Sequence, residues 1–256
     1  MKIVGFVTGG AVLLTCLAVW GIEANVEAAL EASAMPFREG MAEIWAERKA
    51  RNFTLFVFLS MTAYFMQELI LEPYAGLVFD FTPGQSTSLS GAQNGGVFLG
   101  MVLVGIMATG FKIGSLRRWV VFGCFGSAAM LSTLTILGQT GGAGMLTAAV
   151  VGLGFFNGVF AVAAIGSMMA LAGQGRDARE GTRMGLWGAA QALAAGFGGL
   201  VGAALVDVMR AGIASDATAF GTVFLIEAGL FVAAAYMALR IMDRSALPHS
   251  NMVPGE

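Results

Sequence analysis

Two carboxylates four residues apart, Glu68 and Glu72, stand with Gln67 around the apolar triplet Leu69–Leu71. Helical spacing puts both acids on one face, an arrangement hard to explain by packing alone. Pro73 and Tyr74 follow and are expected to end the helix, which leaves the acids at the edge of an apolar run. Two roles fit that placement, a shared binding face or caps for loops at a water interface. A third carboxyl, Glu227, falls near the middle of another apolar run, Phe220–Leu239. It has to be protonated, paired or turned to a polar cavity, because an ionised side chain at that depth is costly. Proton or substrate coupling, ligation of a pigment metal, and a neutral carboxyl hydrogen-bonded to a neighbouring helix all stay open. Four amides complete the set. Gln93 and Asn94 open the run Gly91–Phe111, Asn157 sits inside Met145–Ala172, and Gln191 sits inside Met184–Val208. Such amides either bridge helices or bind ligands.

This inventory does not stage enzymatic chemistry, and a non-enzyme is expected. The single histidine, His249, lies in a polar tail. Cys16 and Cys124 fall inside apolar runs and read as small core residues, not as a disulfide or metal pair. The intramembrane polar groups are too few and scattered for acid–base or nucleophilic work, and no protein metal site is expected. The sequence carries no basic domain or aromatic–basic array that would recognise nucleic acid.

The elements that must position these groups are membrane helices. Of 256 residues, 57% are hydrophobic and only 12% charged, against roughly 25% charged in soluble domains, and the mean hydropathy is +0.78. Crossing the hydrocarbon takes about 20 mostly apolar residues. Seven runs qualify: Ile3–Ile22, Phe53–Leu71, Gly91–Phe111, Trp119–Gly138, Met145–Ala172, Met184–Val208 and Phe220–Leu239. The fold class is therefore an all-α polytopic membrane helix bundle with about seven transmembrane helices. Twelve of the 14 Lys and Arg residues fall in alternate gaps on one side, leaving Lys2 and Arg210 on the other. By the positive-inside rule the N-terminus is periplasmic and the C-terminus cytoplasmic. A cleaved signal peptide at the start would export the basic segment that follows, against that rule.

Four segments are expected: a first transmembrane helix over 1–22, a cytoplasmic loop over 23–52, a six-helix bundle over 53–240, and a cytoplasmic tail over 241–256. In the loop, Phe37, Met41, Ile44 and Trp45 share a helical face, with Glu39, Glu43, Glu47 and Arg48 elsewhere. That pattern reads as an amphipathic helix on the membrane surface or an ordinary charged linker helix, and Glu47 with Arg51 as an i,i+4 pair. Small-xxx-small pairs at Gly5/Gly9, Gly96/Gly100, Gly154/Gly158, Gly181/Gly185 and Gly198/Gly202 argue for close helix packing.

The stretch Gln67-Glu68-Leu69-Ile70-Leu71-Glu72-Pro73-Tyr74-Ala75-Gly76-Leu77-Val78-Phe79 resembles the Q-(D/E)-x-x-L-E-P-Y-(G/A)-G-x-V-F segment of the PucC family, the bacteriochlorophyll-delivery branch of the major facilitator superfamily. The Thr-rich segment Thr82–Leu89, read as a loop, leads into Gly-rich Ala92–Gly105, and Met184–Gln191 and Val223–Leu230 follow in the family's order. The resemblance implies the C-terminal six-helix half of a facilitator fold plus one preceding helix. It implies a photosynthetic intracytoplasmic membrane and a role in light-harvesting complex assembly. The implied cofactor is bacteriochlorophyll, and the implied partners are antenna polypeptides and the reaction centre. It also implies a separate N-terminal half or a homodimer, and a half-size transporter is the alternative. The candidate pigment- or substrate-binding residues are then Gln67, Glu68, Glu72, Tyr74, Asn94, Gln191 and Glu227. Glu68 or Glu72 are the candidate ligands for pigment magnesium, which takes oxygen donors.

Overall fold

The computed structural model describes residues 2–20, 42, 44–172, 180–212 and 215–242. Of the loop positions read as amphipathic, Phe37, Glu39, Met41 and Glu43 lie outside the described residues, as do the basic residues Arg38, Arg176, Arg179 and Arg244 and the tail beyond Met242. The chain forms two compact units, Met1–Pro36 and Phe37–Glu256. In the first, α1 spans Lys2–Val19, and its described side chains, from Val12 and Leu13 to Leu17 and Trp20, are exposed.

Every regular element among the second unit's described residues is a helix. Its helices are α2 (Arg48–Phe79), α3 (Pro83–Val104), α4 (Leu116–Thr140), α5 (Ala143–Ala172), α6 (Glu180–Gly212) and α7 (Asp216–Ile241). All six are long and apolar enough to cross a membrane, which bears out the expected polytopic helix bundle. A π-helical segment, Gly105–Gly110, continues α3.

Several ends differ from the sequence expectation. α2 does not stop at Pro73 and Tyr74 but runs through them to Phe79. Pro73 lacks only one N–H donor, and a break within the bilayer would strand several more backbone groups without water. The helix closes instead at Asp80, in the left-handed region at φ 57°. The segment Thr82–Leu89 is not a loop: α3 starts at Pro83, and this polar stretch forms its first turns. Proline at the first position gives up no hydrogen bond, and the Thr82 backbone N–H is taken by Gln85 Oε1 at 2.8 Å. Gln93 and Asn94 therefore sit well inside α3. A tight turn at Gly141 and Gly142 joins α4 to α5, with Gly141 at φ 72° after Thr140.

Glycine sets the close helix contacts. A Cβ on Gly96 or Gly100 would strike the backbone of Val151 or Phe155 on α5, and one on Gly154 or Gly158 would strike Gln93 or Val97 on α3. Gly198 and Gly202 likewise lie against Thr62 and Met66 of α2. Gly5, Gly9, Gly181 and Gly185 have nothing within 4 Å, so those pairs do not serve this packing. Trp187 of α6, fully buried, donates Nε1–H to Thr54 Oγ1 of α2 at 3.1 Å and meets the Phe53 ring edge-on at 5.0 Å.

Glu47 pairs with Arg183, across to α6, rather than with Arg51 one turn on. Arg183 also donates Nη1–H to the Leu171 carbonyl at 3.2 Å, so one guanidinium joins the ends of α2, α5 and α6. Of the expected apolar face, Ile44 is buried whereas Trp45 is exposed.

Candidate functional site

The polar residues that stand out in the sequence separate into two groups and one outlier. The first group lies on the outside of the bundle. Glu68 and Glu72, one turn apart on α2, are both exposed. Ser90 of α3 donates its hydroxyl to Glu72 Oε1 at 2.8 Å. Asn94, one turn further along α3, donates Nδ2–H to the Ser90 carbonyl at 3.0 Å, which leaves its Oδ1 open. Sequence reasoning misses Ser90. Its link to Glu72 spans 18 residues, and only its position one turn before Asn94 hints at it.

The second group lies inside. Gln67 is 1% exposed, and Asn157 and Glu227 are fully buried. Asn157 Oδ1 accepts from Ser127 of α4 at 2.8 Å. Gln67 Oε1, Asn157 Nδ2 and both Glu227 carboxyl oxygens have no hydrogen-bond partner among the described residues.

Contacts between the helices fix how these buried groups align along the bundle. Tyr74 of α2 packs on Phe220 and Phe224 of α7, with ring centroids 5.7 and 4.9 Å apart. The two helices are antiparallel, so two turns back from Tyr74 to Gln67 corresponds to two turns forward on α7, to Glu227 and Phe231. On α4, Gln139 bonds to Thr218 at 3.1 Å and Thr135 to Gly221 at 3.2 Å, which brings Ser127 level with the turn Glu227–Leu230. Phe160 of α5 meets Phe231 at 6.0 Å, which puts Asn157 level with Ala228. Gln67, Ser127, Asn157 and Glu227 thus lie within about one turn of a common level. Ser127, Asn157 and Glu227 are also close to the midpoints of α4, α5 and α7.

That level relocates the acids. Glu68, next to Gln67, belongs near the middle of the bundle's height, and Glu72 about one turn beyond, not at the edge of the span. Both precede the end of α2 at Phe79 by two to three turns. They are carboxylates at membrane depth on an outward face, a placement that lipid alone penalises.

Tyr74, the motif tyrosine, is fully buried. It donates its hydroxyl to the Leu134 carbonyl of α4 at 2.5 Å and lies among Phe79, Phe220 and Phe224, so it holds α2 to α4 and α7. Gln191 is the outlier. It is half-buried on α6, one turn past Trp187, whose partner Thr54 lies more than three turns before Gln67 on α2.

The chain matches the family model described as PUCC protein over residues 1–246. The chain belongs to the PUCC protein family. It is 63% identical over 256 residues to the Bacteriochlorophyll synthase 44.5 kDa chain of Rhodobacter capsulatus, covering 99% of this chain and 59% of that one. It is 27% identical over 249 residues to an uncharacterized protein of the puhA–bchM intergenic region of Rhodobacter capsulatus, covering 92% and 51%. Against Protein PucC of Rhodovulum sulfidophilum it is 25% identical over 219 residues, covering 82% and 47%. The chain therefore spans about half to three-fifths of the length of these curated relatives. No solved structure matches it.

Proposed function

We propose that this family member is a non-enzymatic membrane accessory or assembly factor of a photosynthetic complex, associating with bacteriochlorophyll and with antenna or reaction-centre polypeptides. Its setting would be the photosynthetic intracytoplasmic membrane, with the basic helix ends in the cytoplasm. The relative's name, a bacteriochlorophyll synthase chain, supports a setting beside pigment chemistry. Among the described residues, the buried polar groups include no nucleophile–base pair, which supports an accessory role.

The observation that carries the reading is the outward acidic face of α2 and α3. Carboxylates exposed at membrane depth call for a covering partner, and the available atoms are oxygens. One Glu72 oxygen is open beside the Ser90 bond, Glu68 is exposed, and Asn94 presents Oδ1. This donor set fits the magnesium of a bacteriochlorophyll, which would bring the ring and its light absorption. Glu68 or Glu72, with Asn94 beside them, would supply an oxygen ligand. Gln67, Tyr74 and Glu227 are buried and would shape the bundle behind that face. Gln191 would belong to a different surface.

Purification in mild detergent, followed by absorption spectra and identification of co-purifying proteins, tests the reading. Pigment together with antenna or reaction-centre polypeptides is expected, and the absence of both contradicts it. A secondary transporter is the second reading, favoured by the buried carboxyl at Glu227. Flux into proteoliposomes that is unchanged by Glu227→Gln would remove Glu227 as its coupling acid.

A further inference from the structure

The buried level at mid-bundle is not explained by a pigment on the outer face. Three side chains there, on three helices, leave complementary groups without partners: an acceptor at Gln67 Oε1, an N–H donor at Asn157 Nδ2, and a carboxyl at Glu227. Their neighbours on each helix connect them. Glu227 lies between Phe224, which packs on Tyr74 of the Gln67 face, and Phe231, which packs on Phe160 of the Asn157 face.

The charges around Glu227 narrow what this level can hold. On α2 the nearest acid, Glu68, is exposed on the outer side, and Tyr64 is half-buried. On α4 the titratable side chain within the span is Cys124, and on α6 it is exposed Asp207. Every described Lys and Arg of the helices, from Arg48, Lys49 and Arg51 through Arg117, Arg118, Arg183 and Arg210 to Arg240, lies within about a turn of a helix end. No cation therefore faces Glu227 from α2, α4, α6 or α7. A bound metal ion would want converging oxygens, yet Asn157 already commits Oδ1 to Ser127 and is left with a buried, unpartnered N–H at this level. One acceptor, one donor and one carboxyl match a protonated acid, which both donates and accepts.

We propose that Gln67, Asn157 and Glu227 form one proton-binding site at the centre of the six-helix unit. Glu227 carries the proton and donates it in a hydrogen bond to Gln67 Oε1, while its carbonyl oxygen accepts from Asn157 Nδ2, directly or through water. The site does not rest on the pigment reading, and its readout is independent of whether pigment co-purifies.

Infrared spectroscopy of the purified full chain in detergent at neutral pH tests it. The spectrum of wild type minus Glu227→Gln, a variant isosteric with the neutral acid, is expected to contain the C=O stretch of a protonated carboxyl. That band is expected to move to higher frequency in Gln67→Leu and in Asn157→Leu, each of which removes one hydrogen bond from it. A Glu227-dependent signal among the ionised carboxylate stretches would overturn the proposal. So would a carboxyl band at the same frequency in Gln67→Leu. If Asn157→Leu fails to fold because Ser127 loses its partner, the Gln67→Leu comparison still decides.

Discussion

The Tyr74 hydroxyl reaches across 60 residues of sequence to donate to the Leu134 carbonyl at 2.5 Å. The tyrosine of the most distinctive sequence motif is therefore a clamp between helices, while its neighbours Glu68 and Glu72 face outward. One short segment thus has two sides, one that assembles the bundle and one that is left for a partner.

Tyr74→Phe should keep the aromatic contacts and lose the hydrogen bond, costing about 1 kcal/mol. Tyr74→Ala should also open a cavity among Phe79, Phe220 and Phe224, costing about 3–5 kcal/mol. Thermal or denaturant unfolding in detergent checks the order. Equal losses would contradict the clamp.

The α3–α5 contact should tolerate no added side chain. Gly100→Val and Gly158→Val place atoms against the backbone of Phe155 and Val97 and should cost about 3 kcal/mol or more. Gly95→Ala, one residue from Gly96 but with nothing within 4 Å of the added carbon, should be close to neutral. Folded yield of the three variants in detergent is the measurement.

The Glu47–Arg183 pair is asymmetric. Its arginine side chain is 9% exposed and its glutamate 43%, so solvent screens the attraction. A double-mutant cycle with Glu47→Gln and Arg183→Gln should give a coupling of at most about 1 kcal/mol, falling as salt is added. Arg183→Gln alone should cost more than Glu47→Gln, because it also leaves the Leu171 carbonyl without its donor.

The spans are legible in the sequence because an apolar run of membrane length is hard to place anywhere but in a bilayer. Their ends are not. Arg48–Asn52 and Pro83–Ser90 are helical but carry too little apolar signal to be recognised as such. Pro73 reads as a stop because in water it would be one, whereas in a bilayer the backbone keeps its internal bonds. Single polar residues in apolar runs, such as Asn157 and Glu227, stand out at once. Their relations do not, since Ser127 with Asn157, Ser90 with Glu72 and Arg183 with Glu47 join residues 30, 18 and 136 positions apart. Which side of α2 each acid takes follows only once Tyr74 is seen packed against α4 and α7.

The outward face should be separable from the fold. The double substitution Glu68→Gln and Glu72→Gln removes two exposed charges and should leave unfolding in detergent within about 0.5 kcal/mol of wild type.

The most direct test of the proposed role is a titration of the purified chain, in lipid nanodiscs, with bacteriochlorophyll, followed by the pigment's absorption and fluorescence. Saturable binding to wild type that is lost in a folded Glu68→Leu/Glu72→Leu variant, which offers no side-chain oxygen at either position, is the predicted result. Equal binding by the two proteins, or none by wild type, would contradict the assignment of this face to pigment.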